Sequence, residues 1–101
     1  MYIAMNRFKI APGREDDFIS IWKNRETYLE NVPGFESFHL LQGPGTEQHT
    51  LFVSHSVWAS EQDFSNWTKS EQFRKAHAHA GGQTKNIYLG PPQFEGFTAV
   101  V

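Results

Sequence analysis

Residues 2 to 10 carry apolar side chains on both parities of a strand, with Tyr2, Ala4, Phe8 and Ile10 on one face and Ile3 and Met5 on the other. A strand that is apolar on both faces needs cover on both, so a chain this short must pack helices on one side of its sheet and find another surface for the other. The first face contains one exception. Asn6 puts an amide in mid-strand, where asparagine is disfavoured and where a buried amide needs a hydrogen-bond partner. A local bulge or loop could supply that partner, and so could a ligand.

The rest of the chain follows in an order of periodicities that limits the topology. Ala11-Pro12-Gly13 breaks the first strand, and a helix is expected from about Arg14 to Asn31, with Phe18, Ile21, Trp22, Tyr28 and Leu29 on one face and Val32-Pro33-Gly34 as its stop. Phe35 to Gln42 and His49 to Trp58 read as two strands of a hairpin, turning at Gly43-Pro44-Gly45. Ser60-Glu61-Gln62-Asp63 starts a helix with a capping-box pattern. Ser70 restarts it toward Ala80, so two short helices are expected there. Gly81-Gly82, Gly90 and Pro91-Pro92 make residues 81 to 92 a long loop, and Gln93 to Val101 read as the last strand. The order β-α-β-β-α-β is that of a ferredoxin-like domain, α+β in class, with an antiparallel sheet and helices on one face; residues 1–101 read as a single such domain. Ile3, Met5, Leu51, Val53 and Val57 would then face away from the helices, and a homodimer burying two such sheets is the simplest cover.

Composition removes several classes of function. The 101 residues are 39% hydrophobic, enough for one core, and the formal net charge of -2 comes with no basic run longer than Arg74-Lys75, so nucleic acid is not an expected partner. There is no cysteine, which excludes disulfides, thiolate ligands, thiol nucleophiles and covalent haem attachment. No apolar run approaches the roughly 20 residues that span a bilayer, and Met1 leads directly into a strand, so a cytoplasmic protein without a membrane partner is expected.

The polar intrusions on apolar faces are the candidate site residues. With Ser70 as cap, Phe73, Ala76, His77 and Ala80 fall on one helix stripe, which sets an imidazole among apolar side chains; His79 points away, and residues two apart cannot chelate one ion. A histidine so placed is commonly a core residue hydrogen-bonded to a carbonyl, and a metal ligand is the alternative. Arg25 lies in the stripe of the first helix, either snorkelling to the sheet edge or meeting a carboxylate with its planar fork. Trp22, Phe64, Trp67 and Phe73 would wall a flat slot between the helices and the sheet face carrying Asn6.

These residues resemble a known family. Asn6-Arg7-Phe8 in the first strand, and the stretch from Phe64 through Trp67 and Phe73 to Ala76-His77, are similar to the motifs of the IsdG-type haem-degrading monooxygenases. These form a branch of the antibiotic biosynthesis monooxygenase superfamily of dimeric α/β barrels. The resemblance implies a noncanonical haem oxygenase in which His77 is the axial ligand, Asn6 hydrogen-bonds the small ligand on the opposite side, and Trp67 crowds and ruffles the porphyrin. Asn6 and Trp67 are then the catalytic pair, His77 the metal ligand, and Trp22, Arg25 and Phe73 further haem contacts, Arg25 toward a propionate. Haem would be both substrate and cofactor, consumed with O2 and electrons from an external donor, a reductase, to release iron. Two alternatives stand beside this: a cofactor-independent monooxygenase of aromatic or quinol substrates, which needs no axial ligand, and a haem-binding or haem-transfer protein without chemistry.

Overall fold

The structure, a computed structural model, describes residues 1–25, 29–77 and 86–101, with 76 and 77 as backbone only. Four strands, β1 (Tyr2–Ile10), β2 (Phe35–Gly45), β3 (Thr50–Trp58) and β4 (Gln93–Thr98), form one antiparallel sheet in the order β2-β3-β1-β4. Helices α1 (Glu15–Asn24), α2 (Glu61–Thr68) and α3 (Glu71–His77) complete the expected ferredoxin-like order. Among the described residues, no helix is long and apolar enough to cross a membrane.

Strand parity sorts the side chains as the alternation requires. Tyr2, Ala4, Phe8 and Ile10 are buried on the helix side of β1, and Thr50, Phe52, Ser54 and Trp58 are buried on the same side of β3. They divide into two apolar clusters. Tyr2, Ala4, Leu29, Trp58 and Trp67 occupy one end of the sheet, and Phe8, Ile10, Phe18, Phe52 and Ile87 occupy the other. On the opposite face Leu41 and Phe97 are exposed, and Ile3, Met5, Leu51, Val53 and Val57 are half-buried.

Ser60 starts α2 as the capping pattern requires. Its hydroxyl accepts from the Asp63 N–H at 3.2 Å and donates to the Asp63 carboxylate at 3.0 Å. Ser60→Ala should therefore lower unfolding stability by about 1 kcal/mol in urea titration, with little change in the slope. An unchanged midpoint would mean that water replaces the hydroxyl at no cost. Ser70 restarts the chain as α3, accepting from the Phe73 N–H at 3.1 Å, so the two short helices are separate elements. Gly34, at φ 82°, lies against the Asp63 side chain where a Cβ would collide, which ties the β2 entry to the start of α2.

Three boundaries differ from the sequence reading. Helix α1 stops at Asn24, not near Asn31, and Arg25 is extended (φ -83°, ψ 130°), its N–H closing onto the Trp22 carbonyl at 3.3 Å. No glycine or proline stands between Asn24 and Val32, so nothing local announces this end. A tertiary contact sets it: Leu29 is buried in the core beside Trp58, while the Arg25 guanidinium folds back 4.5 Å above the Trp22 ring three residues earlier. Second, β2 runs through Gly43-Pro44-Gly45, and the turn falls at Thr46 to His49, where the Thr46 hydroxyl accepts from the N–H groups of Gln48 and His49. Pro44 is tolerated because β2 is an edge strand whose register shifts between Gln42 and Gly45. Third, β4 ends at Thr98. In the described part of the expected loop, Ile87 is buried and Tyr88 bridges to Ile10, with backbone bonds from Ala11 N–H to Ile87 and from Leu89 N–H to Lys9.

Candidate active site

The sheet floor changes character between the two apolar clusters. One row across all four strands reads Leu40, Ser54, Asn6, Phe94, and the next reads Phe38, Ser56, Ala4, Gly96. Small side chains at Ser54, Ser56 and Ala4 leave depth above the floor. Gly96 has to be small, because a Cβ there would strike the Tyr2 hydroxyl group.

Above these rows lies a cavity of about 400 Å³, lined by Asn6, Ser54 and Ser56 from the sheet, Trp22 and Arg25 from the end of α1, Leu29, and Phe64, Trp67, Thr68 and Phe73 from α2 and α3. That volume falls within the roughly 300–1,000 Å³ usual for small-molecule and cofactor sites. Five of the six residues singled out from the sequence, Asn6, Trp22, Arg25, Trp67 and Phe73, thus meet in one place. The sixth, His77, ends α3, one turn beyond Phe73; its side chain lies outside the described residues, as do Tyr28, His79 and Ala80.

The walls are braced aromatics. Trp67 stacks on Trp58 at 6.5 Å between ring centres, inclined by 28°, and meets Phe73 edge-on at 5.5 Å. Phe64 stacks on Phe94 at 5.6 Å, the ring planes nearly parallel, closing the side toward β4. Trp22 stacks on Phe38 at 5.5 Å, and its buried indole N–H has no hydrogen-bond partner among the described residues. Its edge contacts with Phe8 and Phe18 must offset that cost.

Arg25 supplies the charge. The guanidinium is half-buried, and desolvation pulls its pKa down while the Tyr88 phenol opposes the shift. The same burial raises the pKa of Tyr88, with Arg25 pulling it back. An arginine remains cationic at neutral pH under such shifts. Among the described residues the ion pairs are Arg7 with Glu95 and Arg14 with Asp17, and none of their carboxylates faces Arg25, which lines the cavity. An aromatic-walled cavity with a guanidinium in its lining suits an aromatic, carboxylate-bearing molecule.

Sequence reasoning missed Ser54, Ser56, Phe38 and Phe94. The signal for the serines was available, since they sit at the inward parity of β3 between Phe52 and Trp58 as Asn6 does in β1. Phe38 and Phe94 become site residues only once strand order places β2 and β4 at the cavity's flanks.

Residues 1–79 match the family model of the antibiotic biosynthesis monooxygenases. The chain belongs to that family. Members are monooxygenases, and this chain is accordingly an oxidoreductase. A curated relative from Bacillus cereus (strain B4264), named heme-degrading monooxygenase, is 32% identical over 87 residues, covering 86% of this chain and 80% of the relative. A Bacillus thuringiensis (strain Al Hakam) protein of the same name is 33% identical over the same shares. Among solved structures, the heme-degrader MhuD from Mycobacterium tuberculosis, with two hemes bound in its active site, superposes with a TM-score of 0.75 at 23% identity, over 100% of this chain and 97% of that one. SnoaB, a cofactor-independent oxygenase from Streptomyces nogalater, superposes with a TM-score of 0.67 at 20% identity, over 97% of this chain and 91% of that one. Both share the ferredoxin-like fold found here.

Proposed function

We propose that this monooxygenase degrades haem in the cytoplasm, binding it in the cavity through an axial His77 and opening the porphyrin with O2 and electrons from an external reductase, with release of iron. One observation carries the reading: Asn6, Trp22, Arg25, Trp67 and Phe73, distant in sequence, line a single cavity. The curated relatives named for haem degradation give the same direction.

Bound haem would supply both the iron centre at which dioxygen is reduced and the ring that is opened. The protein's residues act around it. Arg25 would pair with a propionate and orient the ring. Asn6 would donate its amide N–H to a small ligand on the side opposite His77. Aromatic walls keep bulk water from the reacting face. Trp67, backed by Trp58 and held by Phe73, would press on a ring bound beside it and bend it. Trp67→Phe should therefore slow haem loss about 10-fold while haem affinity is largely kept, the scale on which residues shaping a metal site without ligating it usually act. Equal rates for the two proteins would remove Trp67 from the mechanism.

The apolar outer face of the sheet, with Leu41 and Phe97 exposed, supports a homodimer, which sedimentation at micromolar concentration tests.

The decisive experiment is a haemin titration followed by visible absorption, with ascorbate and catalase added at saturation. Saturation near one haem per chain, then decay of the Soret band with growth of a long-wavelength chromophore, is expected. Binding without decay would leave haem transfer as the function. No saturable Soret shift would leave cofactor-independent oxygenation, the activity that SnoaB's description carries on this fold.

A further inference from the structure

Three polar side chains are buried or half-buried on the helix side of β3, and two have their hydrogen bonds accounted for. Thr50 donates to the Glu15 carboxylate at 3.2 Å. Ser56 accepts from the Trp58 indole N–H at 2.9 Å and donates to the Ala4 carbonyl at 3.4 Å. Ser54 is different. It is 6% exposed and lines the cavity, yet its hydroxyl has no hydrogen-bond partner among the described residues. The buried side-chain polar atom left without a partner among the described residues is the Trp22 indole nitrogen, so the Ser54 hydroxyl opens on the cavity and is available to a group there.

Its position provides one. Ser54 stands directly opposite Asn6 in the β1–β3 register, a placement that brings two Cβ atoms to about 5 Å. On the other side of Asn6 the cross-strand neighbour is Phe94, and along the strand the same-face neighbours are Ala4 and Phe8, none with a side-chain polar group. Ser56, the diagonal neighbour, is already committed to Trp58 and Ala4. Ser54 is thus the adjacent side chain of the floor that is free to orient the Asn6 amide. That amide has two unlike ends, and only its NH2 can donate to a ligand above the floor.

We propose that Ser54 is a positioning residue for Asn6: its hydroxyl donates to the Asn6 side-chain carbonyl when the cavity is filled, which turns the NH2 toward the bound ligand. The assignment rests on the haem reading above. It leaves the ring, the iron and Arg25 untouched and concerns only the direction in which Asn6 presents its donor.

Azide titration of the ferric haem-loaded protein reads that donor without turnover. Ser54→Ala is expected to weaken azide binding about 3- to 10-fold, the fold-change corresponding to one net hydrogen bond, with haem affinity kept; Ser54→Thr retains the hydroxyl and should retain the affinity. In an Asn6→Ala background, Ser54→Ala should cause no further loss, because the serine acts through the asparagine. Thermal melting of the haem-free protein gives a second readout. Ser54→Ala should leave the midpoint unchanged or higher, whereas Ser56→Ala, which strands the Trp58 N–H, should lower it. Wild-type azide affinity in Ser54→Ala, an undiminished loss in the Asn6→Ala background, or a fall in midpoint matching that of Ser56→Ala would each overturn the assignment while leaving the haem reading intact. A wild-type protein without saturable haemin binding would sink the haem reading, and this assignment with it.

Discussion

Replacing His77 with alanine should eliminate tight haem binding and slow haem loss by at least about 100-fold, more than the 10–100-fold typical of residues that only support a metal ligand. The expectation follows from how few alternatives the chain contains among its described residues, His79 and Tyr28 lying outside them. It has no cysteine and two methionines. Met1 is exposed at the chain start, and Met5 lies on the sheet face opposite the cavity. His39 and His55 face each other on that same outer side, and His49 sits in the β2–β3 turn. The Tyr2 phenol has its pKa raised by desolvation and by Glu61, which disfavours the phenolate an iron would need. Tyr88 is raised by burial in the same way. Exogenous imidazole should restore part of the Soret shift in His77→Ala, since it replaces the missing ligand without refilling the side chain's other contacts. Undiminished haem turnover in that variant, measured under the same reductant, would exclude an axial role for His77 and favour a different ligand or none.

The parts of this architecture that sequence could reveal are those set by local rules. Alternation in β1 located Asn6 on the inward face, and the Ser60 and Ser70 caps divided the second helical region, because parity and capping depend on neighbours a few residues away. What depends on distant partners was not legible. The end of α1 is decided by Leu29 entering the core beside Trp58, which leaves no breaker in the sequence. Pro44 reads as a turn until β2 is known to be an edge strand with a register shift at that point. Ile87 and Tyr88, embedded between glycines and prolines, become core and site-supporting residues only because the chain returns along the end of β1. The cavity has the same origin. Its depth comes from Ala4, Ser54 and Ser56 lying side by side on two neighbouring strands, a coincidence of register that no single segment encodes.

Trp58→Ala should be the most destabilising single change in the core, at about 3–5 kcal/mol, the range for truncating a buried large aromatic. Trp58 is fully buried, meets Phe35 and Phe64 edge-on at 5.5 and 5.6 Å, stacks on Trp67, and satisfies Ser56 through its indole N–H. Against a total stability of about 5–15 kcal/mol for a domain of this size, that loss should lower the melting midpoint on the order of 20 °C. The functional consequence is separable. Trp58→Phe keeps most of the buried area and should fold, but it withdraws the surface that holds Trp67 in place and leaves Ser56 without its donor. If ring distortion depends on Trp67 being unable to yield, Trp58→Phe should bind haem normally and degrade it more slowly, in the same direction as Trp67→Phe. The two changes combined should be less than additive, because both relax one wall. Additive effects in the double variant would show that Trp58 slows turnover by a route independent of Trp67.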